Sequence, residues 1–396
     1  MSKQKIAIFI DQLRYGGAER ALVQVANGIA EHGHDVDLLI RNLGHSAYLD
    51  LLNERVKVRS LGKVSKPMLM LYLLRHQLLD TATLVRRNSL LPMSMRAVPK
   101  LEMYLRREEP VALLSTLSEC NIAALWARQV SRTHTRVVIR EANLISRSIQ
   151  MRPGLLPHIA PLWYQKADAV VSVCNGVGDD LARALRLPRN SVRTIHNPVD
   201  PPRIRELACQ KVDHPWLISK SSPVVVTVGR LTKQKDHRTL LLAVAQVVSR
   251  REMKLIVIGE GKSRAALEEQ AARLGLRQHV DFIGHHTNPY AFMARADLFV
   301  LSSLWEGFPN VLLEALACGS PVVSTDCEGG GAREILLDGR LGRLVPPANP
   351  EALATAILET LDQKRQDDDK ALRTLERFSP DIIIEKYLDV LLNRPS

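Results

Sequence analysis

Aromatic residues make up only 4% of this 396-residue chain, and no nucleic-acid-binding motif accompanies them. Without stacking platforms, nucleic acid is a poor explanation for the chain's basic charge. Cysteine is scarce and odd in number. Cys120, Cys174, Cys209, Cys318 and Cys327 form no CxxC pair, which suits a reducing compartment and excludes a disulfide framework. No uninterrupted apolar run reaches about 18 residues, so no membrane-spanning helix is expected. The start, Met1 to Asp11, reads as a first strand rather than a signal peptide. Neither GxSxG nor HExxH occurs, which removes the commonest hydrolase chemistries. His32/His34 and His285/His286 lack ligand-spaced partners, so no zinc site is expected. No repeat of about 20–50 residues marks a solenoid.

What is present is a globular composition, with 46% hydrophobic and 24% charged residues, and a net charge of +12. The charge is placed unevenly. Residues 1–200 hold 28 Lys/Arg against 17 Asp/Glu, whereas residues 201–396 hold 26 against 25. Residues 55–107 alone carry twelve bases (Arg55, Lys57, Arg59, Lys63, Lys66, Arg75, Arg86, Arg87, Arg96, Lys100, Arg106, Arg107) and two acids, Asp80 and Glu102. The same segment is rich in Leu and Met. A basic, apolar-faced helical region is what an anionic membrane surface attracts, at about 1 kcal/mol per base near the lipid. A solvated helix face is the plainer alternative.

Apolar runs alternate with amphipathic segments throughout, the pattern of βαβ units and parallel sheets. Strands are expected at Ile6–Ile10, Val36–Ile40, Val56–Ser60, Val111–Ser115, Val137–Ile139, Ala169–Val173 and Val192–Ile195 in the first half. The rhythm restarts at Val224–Val228, Leu255–Ile258, Val280–Ile283, Leu298–Leu301, Val322–Ser324 and Gly342–Val345. A proline cluster at Asn197 to Pro202 and weak periodicity up to Pro223 read as a linker. The expected division is a domain at 1–200, a linker at 201–222, a second domain at 223–378, and a C-terminal helix at 379–396 that packs back on the first domain.

The most informative stretch is Glu306-Gly307-Phe308-Pro309-Asn310-Val311-Leu312-Leu313-Glu314. It follows a strand and opens a helix, whose start exposes unpaired N–H groups and the positive dipole end that suit a diphosphate. Glu306 on the loop and Glu314 in the helix can each hold hydroxyls. Gly307 permits close approach because it lacks a Cβ. Arg230 and Lys235 follow another strand end on one loop, where together they can neutralise a diphosphate.

With these pieces in place, the second half resembles the donor domain of retaining, GT-B-fold glycosyltransferases of family four. The resemblance rests on Val228 to Asp236, Val257 to Gly261, Phe282 to Gly284, Ser302 to Glu314, Ala317 to Val322 and Gly331 to Glu334, in the family's order. The first half is similar more loosely, through Gly16-Gly17-Ala18-Glu19-Arg20 and Ile195 to Asp200. The resemblance implies an α/β, GT-B architecture of two Rossmann-like domains facing a central cleft. It implies that Arg230 and Lys235 stabilise the departing diphosphate as catalytic groups together with Glu306, which contacts the donor sugar. Glu314 would contact the ribose, and Gly229, Gly307, Phe308, Pro309 and Asn310 would line the donor. Gly16 and Gly17 would turn tightly beside diphosphate and acceptor. Many relatives carry a His where this chain has Arg140-Glu141-Ala142-Asn143, so Arg140, Glu141 and Asn143 are candidate sugar contacts.

Asp35-Val36-Asp37 has the DxD form of another glycosyltransferase fold, but it opens a strand in the domain not expected to hold the donor, and reads as surface. Asp367-Asp368-Asp369 reads as an acidic helix junction, and Gly259-Glu260-Gly261 is too short for a dinucleotide fingerprint. The resulting expectation is a retaining, metal-independent, cofactor-free hexosyltransferase. A nucleotide sugar, UDP-sugars favoured, would donate to a lipid-linked glycan in bacterial cell-surface polysaccharide biosynthesis, lipopolysaccharide included. The protein would be cytoplasmic and peripheral on the inner face of the plasma membrane. A nucleotide-sugar epimerase of similar fold, or a non-catalytic nucleotide-sugar-binding protein, are the alternatives.

Overall fold

The computed structural model describes residues 3–44, 46–78, 93–151, 156–363 and 369–394. Asp80, Arg86 and Arg87 of the basic segment, and Asp367 and Asp368 of the acidic run, lie outside the described residues. The chain divides into two compact units, one of Met1–Pro198 with Pro380–Ser396 and one of Val199–Ser379.

The first unit is built on seven strands: β1 (Lys5–Ile10), β2 (Asp35–Ile40), β3 (Val56–Ser60), β4 (Ala112–Thr116), β5 (Arg136–Glu141), β6 (Ala169–Ser172) and β7 (Val192–Thr194). They lie in the order β3-β2-β1-β4-β5-β6-β7, and every pairing is parallel. Such a sheet is covered on both faces, so its strands read as unbroken apolar runs. Ile6, Ala7, Ile8, Phe9 and Ile10 are all fully buried, alternating between the two cores on either side of the sheet. One core is closed by the helices Lys66–Arg75, Val98–Glu108 and Ser118–Ser131. The other is closed by Gly17–Glu31 and the C-terminal helix Pro380–Leu391. That last helix fits closely. A Cβ on Gly28 would stand 2.4 Å from Ile384 Cγ1, and Arg136 Nε donates to the Val390 carbonyl at 2.8 Å.

The second unit carries β8 (Val224–Val228), β9 (Lys254–Ile258), β10 (Val280–Gly284), β11 (Leu298–Leu301), β12 (Val322–Thr325) and β13 (Arg343–Val345). Their order is β10-β9-β8-β11-β12-β13, again with every pairing parallel. All thirteen strands coincide with apolar runs read from the sequence. The stretch 201–222, expected as an irregular linker, instead carries the helices Pro201–Ala208 and Pro215–Ile218. Asp200 caps the first by accepting from Arg203 N at 3.0 Å, and two prolines occupy its opening positions, where a missing N–H costs nothing.

Each sheet reverses its strand order once, between β1 and β4 in the first and between β8 and β11 in the second. Ligands of open α/β sheets bind beyond the carboxyl ends of the strands at such a switch point. Gly16 and Gly17 follow β1, Arg230 and Lys235 follow β8, and Glu306 follows β11, whereas Arg140 and Glu141 lie within β5.

Candidate functional site

In the second unit, loops leaving β8, β9 and β11 meet through glycines. Gly259 has φ +144°, and a Cβ there would stand 2.0 Å from the Gly229 carbonyl oxygen. Gly261 faces the Leu231 carbonyl as closely, at 2.3 Å. At the far side, a Cβ on Gly331 would fall 2.0 Å from the Gly307 carbonyl oxygen. These positions admit no side chain without moving backbone, so they fix where the loops sit.

The loops after β8 and β11 are then stitched together. Leu304 N donates to the Gln234 carbonyl at 2.8 Å, and Ser302 Oγ donates to the Lys235 carbonyl at 2.8 Å. Gln234 Nε2 donates to the Trp305 carbonyl at 2.9 Å. This brings Lys235 Nζ to 2.6 Å from Glu306 Oε1, with side chains only 15% and 10% exposed. Ser303 Oγ donates to the same carboxylate oxygen at 2.6 Å, and Gln234 Nε2 stands 3.5 Å from the other. A buried ion pair recovers its desolvation cost only when further hydrogen bonds complete it, as Ser303 does here.

Arg230, at the mouth of the same loop, is exposed, and its guanidinium makes no hydrogen bond or ion pair among the described residues. Asp236 reverses the chain at φ +46° and caps the helix His237–Val248, accepting from Thr239 N at 3.3 Å and Thr239 Oγ1 at 2.6 Å. His237 is buried, and its Nδ1 has no hydrogen-bond partner. Burial first, and the Lys235 charge second, lower its pKa to about 4, so the ring stays neutral beside the cation.

After β11, Gly307, Phe308 and Pro309 are buried and lead into the helix Asn310–Ala317. The Phe308 ring packs edge-on against Phe378, with centroids 5.5 Å apart. Asn310 and Glu314 are half-buried, and Tyr290 Oη donates to Glu314 Oε1 at 3.4 Å. Burial, with the Glu314 charge nearby, pushes the Cys318 thiol up to about 12. Burial and then Glu306 do the same for Cys327. Neither is a nucleophile at neutral pH. Sequence reading singled out Arg230, Lys235, Glu306 and Glu314. It missed Gln234 and Ser303, which hold the Glu306 carboxylate, and the buried His237 next to Asp236; their signal lay in the Lys233-to-His237 run and the serine pair after β11.

In the first unit the picture differs. Gly16 caps the helix Gly17–Glu31 with φ −158° and ψ 155°, an extended backbone open to any residue. The chain bends at Tyr15 and Gly16 as it enters that helix, and a Cβ on Gly16 would stand 2.4 Å from Glu19 Oε2. Asp11, at the end of β1, accepts from Arg41, just after β2, through two guanidinium nitrogens, Nε and Nη2, the latter at 3.0 Å. Arg140 is fully buried. Its guanidinium donates to Tyr387 Oη at 3.0 Å, Thr116 Oγ1 at 2.8 Å and Asn197 Oδ1 at 2.5 Å, so its donors are turned into the unit. Glu141 is equally enclosed and accepts from Asn121 Nδ2 at 2.9 Å, Ser118 Oγ at 3.1 Å and Tyr164 Oη. Desolvation pushes it up to about 7 against those hydrogen bonds. Of the three residues expected to touch a sugar, Asn143 alone keeps exposed surface, with Oδ1 accepting from Leu144 N at 3.0 Å. Leu117, next to Ser118, holds φ +76°, a strained value for a leucine at the end of β4. Among the described residues no group of three or more His, Cys, Asp or Glu side chains is placed to hold a metal ion.

Comparison with known proteins assigns this arrangement to a family. Residues 222–363 match the model of the group 1 glycosyl transferases, and residues 15–203 match that of glycosyltransferase family 4. Over 371 residues the chain is 28% identical to the N-acetylgalactosamine-N,N'-diacetylbacillosaminyl-diphospho-undecaprenol 4-alpha-N-acetylgalactosaminyltransferase of Campylobacter jejuni, covering 91% of each chain. It is also 28% identical, over 388 residues, to LpsE of Rhizobium meliloti, a lipopolysaccharide core biosynthesis glycosyltransferase, covering 96% of this chain and 97% of that one. Among solved structures, Anabaena Alr3699/HepE in complex with UDP and glucose matches with TM-score 0.78 at 21% identity, over 98% of this chain and all (100%) of that one. The outer core galactosyltransferase WaaB matches with TM-score 0.72 at 20% identity, over 99% and 100%. The fold is thus the α/β, GT-B type. The chain belongs to the family 4, group 1 glycosyltransferases and is an enzyme of sugar transfer.

Proposed function

We propose that this enzyme moves a sugar from a nucleotide-sugar donor, with UDP-sugars favoured, to a lipid-linked glycan, keeping the anomeric configuration and using no metal. The observation that carries the reading is the 2.6 Å Lys235–Glu306 pair at a sheet switch point, with the unpaired Arg230 on the same loop. Two cations at a pyrophosphate and two carboxylates at hydroxyls are the complement of an activated sugar. Arg230 and Lys235 hold the diphosphate and stabilise the charge that grows on it as the bond from the sugar's anomeric carbon to its oxygen breaks. The acceptor oxygen bonds that carbon on the same face, and its proton passes to the departing phosphate oxygen. Glu306 orients the sugar through its hydroxyls, Glu314 takes the ribose, and Gly229 with Gly307 to Asn310 contribute backbone.

The acceptor reading draws support from relatives whose names specify a diphospho-undecaprenol-linked acceptor and lipopolysaccharide core synthesis. It also draws on the basic first half, from which the exposed Lys63, Lys66, Arg75, Lys100, Arg106 and Arg107 are described. No described helix is long and apolar enough to cross a membrane. These features support reading the enzyme as peripheral on the cytoplasmic face of the plasma membrane, in surface-polysaccharide assembly.

The test is a screen of UDP-, GDP- and ADP-sugars against undecaprenyl-diphosphate-linked oligosaccharides, with the product anomer read by NMR and the reaction repeated in EDTA. Transfer with the donor's anomer preserved, unaffected by chelation, is expected. An inverted product, or donor converted without any acceptor, refutes the reading.

A further inference from the structure

The helix Lys66–Arg75 has apolar side chains on both faces. Ser65 caps it by accepting from Met68 N at 3.3 Å, and Leu69 and Leu73 anchor its inner face in the core. Its outer face should be polar in a helix that water covers. Instead Met68, Leu71 and Leu74 stand 60%, 69% and 41% exposed. Their spacing of three residues puts them on one stripe of the surface. Bases flank that stripe at both ends, exposed Lys63 and Lys66 before it and Arg75 after it, and residues 60–78 contain no acid. The helix is held rigidly to its neighbour Val98–Glu108, since Tyr72 Oη donates to Glu102 Oε2 at 3.1 Å. The neighbour also leaves an apolar side chain outside, Met103 being 60% exposed between exposed Lys100 and Arg107, although its Glu102 and Glu108 pair with Arg106 and Arg107.

We infer that this face docks on an anionic lipid bilayer, with Met68, Leu71 and Leu74 immersed among the acyl chains and the flanking bases on lipid phosphates. A protein partner would need its own acidic rim around an apolar groove, whereas a bilayer offers both layers in the order the helix presents them. The inference rests on the lipid-linked acceptor reading and goes further, because it makes attachment apolar as well as electrostatic. Salt of about 1 M, where the Debye length is about 3 Å, should therefore weaken binding without abolishing it.

The experiment uses vesicles of phosphatidylcholine with and without phosphatidylglycerol, and the full chain. Met68→Ser/Leu71→Ser/Leu74→Ser should lower partitioning onto mixed vesicles by at least about tenfold while leaving the thermal melt in place. Lys63→Glu/Lys66→Glu/Arg75→Glu should erase the preference for phosphatidylglycerol. Leu71→Trp should shift to the blue on vesicles and be quenched by brominated acyl chains. A tryptophan that stays in water on vesicles carrying the protein overturns the inference, as does unchanged partitioning of the serine variant. So does a wild-type dimer that the serine variant dissolves while vesicles leave the tryptophan unmoved, because the face then belongs to a second copy. Transfer to a detergent-solubilised lipid-linked glycan separates the two readings. Transfer without immersion removes the docking face alone, and immersion without transfer removes the acceptor reading alone.

Discussion

Replacing Lys235 by alanine tests the site most directly, because that side chain pairs with Glu306 in the structure and, in the proposed function, also holds the leaving group. The first contribution is to local stability. Glu306 would keep Ser303 Oγ at 2.6 Å and Gln234 Nε2 at 3.5 Å but lose its counter-charge in a place where only 10% of its side chain meets water. Breaking a fully buried pair costs about 3–5 kcal/mol, and the residual exposure and remaining donors bring this nearer about 2 kcal/mol. For a unit of this size that is a fall in Tm of about 4–8 °C. The second contribution appears only in turnover. Losing one preorganised donor to the leaving group costs about 10²–10³ in kcat. Calorimetry with UDP and steady-state kinetics with a donor identified by the screen separate them. Lys235→Ala should weaken UDP binding, whereas Glu306→Ala should leave UDP binding nearly intact and lower kcat. The pair Lys235→Met/Glu306→Leu completes the argument, since replacing both charges by apolar groups removes the unpaired carboxylate. It should recover most of the lost Tm and none of the lost turnover. Recovery of both, or full turnover in Lys235→Ala, would show that the pair is only a brace.

Three further outcomes follow from groups outside that pair. Glu141 is raised to about 7 from 4.5, so the folded first unit holds its proton where the unfolded chain has released it, and that stability is lost as pH rises from about 4.5 to 7. The change is about 3 kcal/mol in denaturant titrations, and Glu141→Gln should flatten it. His237 has the opposite sign. Lowered from 6.5 to about 4, it leaves the second unit about 3 kcal/mol less stable as pH falls through that window, and His237→Gln should remove the slope. Gly331→Ala places a Cβ 2.0 Å from the Gly307 carbonyl, so the donor loop must move, and UDP affinity should fall with a stability loss of about 1–3 kcal/mol. Unchanged calorimetric affinity for UDP in that variant would contradict the loop's place in the site.

The sheets were readable in advance because a parallel strand covered on both faces has little choice but to be apolar along its length. Ile6 to Ile10 and Leu298 to Leu301 are such runs, and they are buried throughout. The loops after β8 and β11 were readable for a related reason. Their glycines and charges lie within short stretches, Gly229 to Lys235 and Glu306 to Glu314, so local order encodes most of the geometry. Where position depends on distant chain, the sequence is silent. Arg140 and Glu141 look like the first loop residues after a strand ending at Ile139, because burying charge is costly. The strand in fact continues through both, pairing Arg140 with Val171 and Glu141 with Ser172. What makes this tolerable for Arg140 is Tyr387, 247 residues away on the C-terminal helix.

That difference bears on how the two units do their work. In the second unit Lys235 and Glu306 are joined over a separation of 71 residues, yet the exposed Arg230 makes no hydrogen bond or ion pair through its guanidinium among the described residues. In the first unit the charged residues at the end of β5 are satisfied internally, Arg140 by three side-chain acceptors and Glu141 by three donors. A group whose hydrogen bonds are complete has little to offer a ligand, and a fully enclosed network instead rigidifies what surrounds it. Here it surrounds Ser118 and the strained Leu117, at the carboxyl end of β4 beside the sheet's switch point. With their hydrogen bonds directed into the unit, Arg140 and Glu141 act on this geometry as a brace at the end of β5. Any direct contribution from this segment falls to the half-exposed Asn143, and Asn143→Ala should change donor KM while Arg140→Lys changes mainly the melt.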